Sequence, residues 1–169
     1  MRSSPALIAP PARGIVARTS DHPAPGSHMH ESVFLENHEQ GLGRLLGIRF
    51  AESTRELVVT EVTLTPSHLT EVGSVQGAVA VALADLAGAF GALLNAPEGM
   101  INTTIESKTN FLRPGRGNLL WAEAEPIHVG RRTSVWRSCV YRGEARGEGR
   151  PVAEVMQTEL FIPAGPEGG

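Results

Sequence analysis

The stretch Val72–Pro97, VGSVQGAVAVALADLAGAFGALLNAP, decides how the rest of the chain is read. Between Glu71 and Glu98 it carries a single charge, Asp85, among Ala, Val, Leu, Phe and Gly. Gln76 to Leu94 contains good helix formers and no proline, which predicts one long helix. Apolar residues occupy every face of that helix, so it is expected to be buried all round. Gly88 and Gly91 each cost about 1 kcal/mol against alanine inside a helix. The expected compensation is close approach of another backbone. A buried carboxylate is expensive unless it finds partners, shifts its pKa or meets water from a cleft.

A membrane span needs about 20 apolar residues, and length alone would allow one here. The Ala and Gly content, the central Asp and the lack of flanking Lys/Arg or aromatic belts argue against it. Asp85 then either ties down a neighbouring loop or does chemistry. The helix start favours chemistry. Ser74-Val75-Gln76-Gly77-Ala78 puts a glycine where the first free N–H groups point outward. Such a helix start attracts negative charge, and with a carboxylate two turns further on an acyl-transfer centre is expected.

Working outward, Leu42, Leu45 and Leu46 suggest a short helix that breaks near Gly47. Ile48–Glu52 and Glu56–Thr65 read as strands, the second rich in β-branched residues. After Pro97-Glu98-Gly99 the chain reads as strands at Asn102–Leu112, Asn118–Val129, Thr133–Arg142 and Val152–Ile162. Within the first of these, Ile105, Ser107, Thr109 and Phe111 alternate against Glu106, Lys108 and Asn110. Short turns join the strands, which predicts an antiparallel sheet. The expected fold is α+β: a six-stranded sheet, its last four strands a meander, wrapped around one buried helix. Open sheet edges predict a homodimer or tetramer.

The chain has 169 residues, 41% of them apolar, which suits one domain with a real core. Residues 1–31 are rich in Pro, Ser, Ala and Arg and are expected to be a disordered extension. Residues 32–162 form the expected domain, and 163–169 a flexible tail. A net charge of −3 without a basic run gives no reason to expect nucleic acid. Cys139 is the only cysteine, which excludes an internal disulfide and suits a reducing compartment. With no strong secretory h-region, a cytoplasmic location is expected. No His pair has metal-ligand spacing, so no metal is expected. The chain has no G-x-S-x-G and no P-loop sequence, which argues against a serine hydrolase or an NTPase.

Four signals together resemble the PaaI-like acyl-CoA thioesterases of the hotdog fold. Thr70-Glu71-Val72-Gly73-Ser74-Val75-Gln76-Gly77-Ala78 is similar to the family's N-x-x-G-x-x-H-G-G. Leu83-Ala84-Asp85 is similar to its L-x-D, at an ungapped spacing from Gly77. Asn110-Phe111-Leu112-Arg113-Pro114 resembles N-[YF]-L-R-P, and His128-Val129-Gly130-Arg131 resembles H-x-G-R. The resemblance covers Val33 to Ile162. It implies hydrolysis of an acyl- or aryl-coenzyme A, with coenzyme A part of the substrate and no separate cofactor.

The resemblance also implies roles for individual residues. Asp85 matches the general base or nucleophile, Gly77 the backbone oxyanion donor, and Thr104 a hydroxyl that positions the attacking water. It places each active site across a dimer interface, with Gly77 and Asp85 from different subunits. Gln76, Thr70 and Ala78 line the expected site. Arg113, Pro114, Gly130 and Arg131 lie at strand ends where coenzyme A phosphates could be met. Gln76 stands where the family carries His, and Thr70 where it often carries Asn. Glutamine hydrogen-bonds but does not titrate near neutrality. These departures keep two alternatives in view: a non-catalytic acyl-CoA-binding protein, and a hotdog dehydratase or hydratase.

Overall fold

Small and β-branched residues dictate the two layers seen in the computed structural model, which describes residues 41–165. The expected disordered segment 1–31 and the last residues of the expected tail, 166–169, lie outside the described residues. A short helix α1 (Leu42–Leu45) leads through Gly47, which turns at φ +68°, into strand β1 (Arg49–Ser53). Strand β2 (Val58–Thr63) follows, then a 3-10 turn at Pro66–His68 and the long helix α2 (Gly77–Leu94). Strands β3 (Met100–Phe111), β4 (Leu119–Val129), β5 (Thr133–Gly143) and β6 (Arg150–Pro163) complete the domain.

All neighbouring strands are antiparallel, in the order β1-β2-β4-β5-β6-β3. This overturns the expected four-stranded meander. Only β4, β5 and β6 follow one another. β3 lies beyond β6 at the edge, so the 112–118 segment crosses from that edge to the sheet interior. The regular alternation expected of β3 also fails at Ile105. Thr104 pairs with Glu159 and Glu106 with Thr158, leaving Ile105 as the extra residue of a β-bulge. Ile105 is exposed, as are its neighbours from Thr103 to Lys108.

α2 lies against the sheet, and its burial differs from the expectation of a helix buried on all sides. Val79, Ala80, Leu83, Ala84, Ala87, Phe90 and Leu93 are buried. Val81, Ala82, Asp85, Leu86 and Ala89 form a half-exposed stripe at helical spacing. Ala-rich helices of this kind carry no apolar face that fixes their rotation. Here side-chain hydrogen bonds from the sheet supply it. Thr60 Oγ1 donates to the Leu83 carbonyl at 2.8 Å, and Ser138 Oγ to that of Ala84 at 3.2 Å. Asn102 Nδ2 donates to the Ala89 carbonyl at 3.1 Å. These contacts turn Asp85 to the half-exposed side.

The two helix glycines are explained by side chains, not by the backbone approach expected. A Cβ on Gly91 would stand 2.5 Å from the Trp136 ring, and one on Gly88 would collide with Gln157 Oε1. Trp136 and Phe90 are fully buried, each burial contributing about 1.5–3 kcal/mol. By length and hydropathy alone α2 could cross a membrane. In this fold it is the core helix.

Candidate active site

α2 begins without side-chain support. Gln76 is its N-cap and makes no capping hydrogen bond. The Gly77 N–H finds no protein acceptor among the described residues, as the first turn of a helix requires unless a cap or ligand supplies one. The preceding loop is stapled instead. Thr70 N donates to the Ser74 carbonyl at 2.7 Å, and Ser74 N to Thr70 Oγ1 at 3.2 Å. Thr70 is thus committed to the turn. Gln76 is exposed and reaches only the Leu69 carbonyl, at 3.5 Å. Ala78 is exposed beside it.

Two residues given no site role in the sequence reading shape this end. Phe111, 61% exposed, lays its ring over Gly77, so that a Cβ there would stand 2.9 Å from Cζ. Arg142, buried on β5, donates from Nη1 to the carbonyls of Gly73 at 3.0 Å and Pro114 at 3.4 Å, and from Nε to that of Gly117 at 2.9 Å. It binds the loop before α2 to the loop after β3. A cleft there is lined by Arg113, Pro114, Arg116, Arg142, Glu144 and Arg150 among others. Tyr141 and Arg142 sit at alternate faces of β5, and an arginine at an inward position is the signal that marks it out.

Eight residues on, Asp85 has a different setting. Its carboxyl is half-buried on α2 over β6 and β3. Gln157 Nε2 donates to Asp85 Oδ1 at 2.9 Å and to Glu159 Oε1 at 2.7 Å. Thr104 Oγ1 donates to Glu159 Oε1 at 2.8 Å, and Asn102 Nδ2 to Glu159 Oε2 at 2.8 Å. Gln157 and Glu159 have no solvent exposure at all. Gln157 Oε1 is buried with no partner, an orphan acceptor that costs about 1–3 kcal/mol. Burial, and next the Glu159 carboxylate, push the Asp85 pKa above the ordinary carboxylate value. Asp85 Oδ2 makes no hydrogen bond among the described residues and is left for water or a ligand.

The structure therefore gathers Asp85 and Thr104 around Gln157, with the Thr104 hydroxyl hydrogen committed to Glu159. Sequence reasoning missed Asn102, Gln157 and Glu159. The signal of the two β6 residues is their period: from Ala153 the buried positions alternate as Val155, Gln157, Glu159 and Phe161, two of them polar. Gly77 and Asp85 are not brought together. Eight helical residues separate them by about 12 Å along the axis. Arg113 and Pro114 lie at the Gly77 end, whereas Gly130 and Arg131 form the β4–β5 turn at the far end of the 11-residue β4, about 35 Å away.

Other side chains are placed away from this chemistry. Cys139 faces opposite to Ser138, and burial pushes its thiol pKa up, away from thiolate character. His68 is buried and accepts from the Thr65 N–H at 3.0 Å, a turn contact. His128 is exposed, its ring against Gly130. Among the described residues no three His, Cys, Asp or Glu side chains converge as metal ligands.

Known proteins share this fold. Residues 72–148 match the family described as the thioesterase superfamily. A 1,4-dihydroxy-2-naphthoyl-CoA hydrolase from Listeria monocytogenes is 30% identical over 96 residues, which are 57% of this chain and 78% of that protein. A thioesterase family protein from Silicibacter pomeroyi superposes with a TM-score of 0.70 at 21% identity, covering 78% of this chain and 96% of that one. A variant of the phenylacetic acid degradation protein PaaI from Thermus thermophilus superposes with a TM-score of 0.60 at 25% identity, covering 69% and 95%. Across four curated relatives it matches, the chain spans 57% to 81% of their length. The six-stranded antiparallel sheet over a central helix is the hotdog fold, and the chain belongs to the PaaI-like thioesterases, hydrolases that act on thioesters.

Proposed function

We propose that this protein hydrolyses acyl- or aryl-coenzyme A thioesters, with Asp85 as general base or nucleophile. The observation that carries this reading is the Asp85 carboxyl: raised in pKa, held at Oδ1 and open at Oδ2, beside Thr104. A carboxylate in that state takes a proton from water, or attacks a carbonyl carbon, more readily than an ordinary one. The unpaired Gly77 N–H supplies the complementary element, a donor for the oxygen that gains charge as the thioester is attacked.

One chain keeps these elements about 12 Å apart, so the working site needs two copies. Pairing about a two-fold axis sets the Gly77 end of one copy against the Asp85 end of the other. Arg113, Pro114, Gly130 and Arg131, at strand ends, are the positions where coenzyme A phosphates would be met. Thr104 positions the attacking water, and Gln76, Thr70 and Ala78 border the site. A cytoplasmic setting suits the free Cys139. The acyl-CoA relative gives the substrate class its support. The test is hydrolysis of a panel of acyl- and aryl-CoAs by the wild type and Asp85→Asn. Turnover by the wild type that the variant loses supports the reading; no turnover of any thioester sinks it.

A second reading, non-catalytic acyl-CoA binding, draws on Thr70, whose hydroxyl is engaged in its own turn. Calorimetric binding of acyl-CoA without hydrolysis is its signature.

A further inference from the structure

We infer that Gln157 is the positioning residue of Asp85, and that Glu159 fixes Gln157 in turn, so that three residues from β6 and α2 act as one unit. The inference rests on the thioesterase reading for its kinetic consequence, but its structural content stands apart.

The argument starts from hydrogen counting. A glutamine amide has two N–H hydrogens on one atom and an acceptor oxygen on the other. Gln157 Nε2 is 2.9 Å from Asp85 Oδ1 and 2.7 Å from Glu159 Oε1. Both neighbours are acceptors when ionised, so the amide must present nitrogen to them. Reversing it would set its oxygen against two carboxylates. The consequence is visible on the other side: Oε1 is buried without a partner. A fold selected only for stability would not strand that oxygen; the demand of two carboxylates for donors explains it. Gly88 completes the device, since any side chain there would collide with Oε1 and push the amide off Asp85. The sequence pair Asp85 and Gly88, one turn apart, thus belongs to one site.

Glu159 is the anchor. Asn102 Nδ2 fills its Oε2, while Thr104 Oγ1 and Gln157 Nε2 fill its Oε1. Asn102 and Thr104 come from the strand whose bulge at Ile105 follows directly. Among the described residues, Glu159 is the one charged group facing Asp85. β2 and β5 present the hydroxyls of Thr60 and Ser138 to the neighbouring helix carbonyls, and β3 presents Thr104. Holding Oδ1 fixes the carboxyl plane and leaves Oδ2 aimed outward. Burial, and next the adjacent Glu159 charge, make Asp85 a stronger base than a solvated aspartate.

The test reads Asp85 directly. The side-chain carboxyl 13C resonance of Asp85 is titrated in the wild type, Gln157→Met, Glu159→Gln and Gly88→Ala, with acyl-CoA turnover measured alongside. Gln157→Met and Gly88→Ala remove the donor from Asp85 and are expected to move its titration to higher pH. Glu159→Gln removes the neighbouring charge and moves it to lower pH. Turnover falls by about 10²-fold in Gln157→Met, with KM little changed, as a misaligned reacting group requires. The acid limb of kcat/KM moves with the 13C titration. A purely structural Gln157 would lower thermal stability and leave the Asp85 titration in place in every folded variant, and that result overturns the inference. If the wild type hydrolyses no thioester, the enzymatic reading fails while the titration still decides whether this unit exists.

Discussion

The two halves of α2 do different work with different means. At its start, Gly77 offers a bare backbone N–H, framed by the short-range turn of Thr70 and Ser74 and by an exposed Phe111 ring. At its middle, Asp85 is surrounded by side chains from β2, β3, β5 and β6 that bind the helix carbonyls or the carboxyl itself. The start is held by short-range turns and by one distant side chain, Arg142, on the Gly73 carbonyl. The middle is long-range and over-determined, at the cost of an orphan amide oxygen. The difference teaches that an oxyanion donor needs only a helix start and room, whereas a basic carboxylate needs a built environment.

That comparison can be broken most severely at Asp85. Asp85→Asn is expected to lower turnover by about 10²–10⁴-fold. The same variant should be more heat-stable at neutral pH. A carboxyl raised in the folded state contributes stability that is fully present below the ordinary value of about 3.9 and lost as pH rises through the raised value. Asparagine never ionises, so its advantage in melting temperature should shrink as the pH is lowered towards that value. A variant less stable than the wild type at pH 7 would show that burial does not strain the charge.

Gly77→Ala probes the start of the helix. The alanine keeps the N–H but its methyl obstructs close approach, so turnover should fall strongly if the substrate's carbonyl oxygen meets that N–H. The melting temperature should move little, because the ring it meets is exposed and free to swing aside. Substantial unfolding would make Gly77 structural. Gly91→Ala is the control from the tight half. Its methyl enters the Trp136 ring, so a loss of about 1–3 kcal/mol is expected in denaturant melts. Gln76→His should have the smallest effect on rate but add an ionisation near pH 6.5 to the profile. An unchanged profile would place that exposed side chain away from the substrate.

What could be read from the sequence follows the same division. The start of α2, its length and the distinction of Asp85 were legible because helix propensity, spacing and a lone charge are local properties. The six strands were legible from their period of two. The strand order was not, since no local pattern says that β3 passes β4 and β5 to pair with β6. The bulge at Ile105 hid the true face of Asn102 and Thr104. Gln157 and Glu159 were overlooked because their partner Asp85 lies 72 residues before Gln157. They looked like ordinary outward polar residues until the register put them on the buried face.

The most direct measurement asks whether the two halves of one site come from two chains. Asp85→Asn and Gly77→Ala are purified separately, mixed in equal amounts, and allowed to exchange subunits, with mixed dimers verified by native mass spectrometry. In a mixed two-fold dimer one site joins an intact Gly77 to an intact Asp85, and the other has neither. The account predicts recovery of about a quarter of the wild-type acyl-CoA hydrolysis, since half of the dimers carry one good site of two. An exchanged mixture no more active than the two variants measured apart would contradict it.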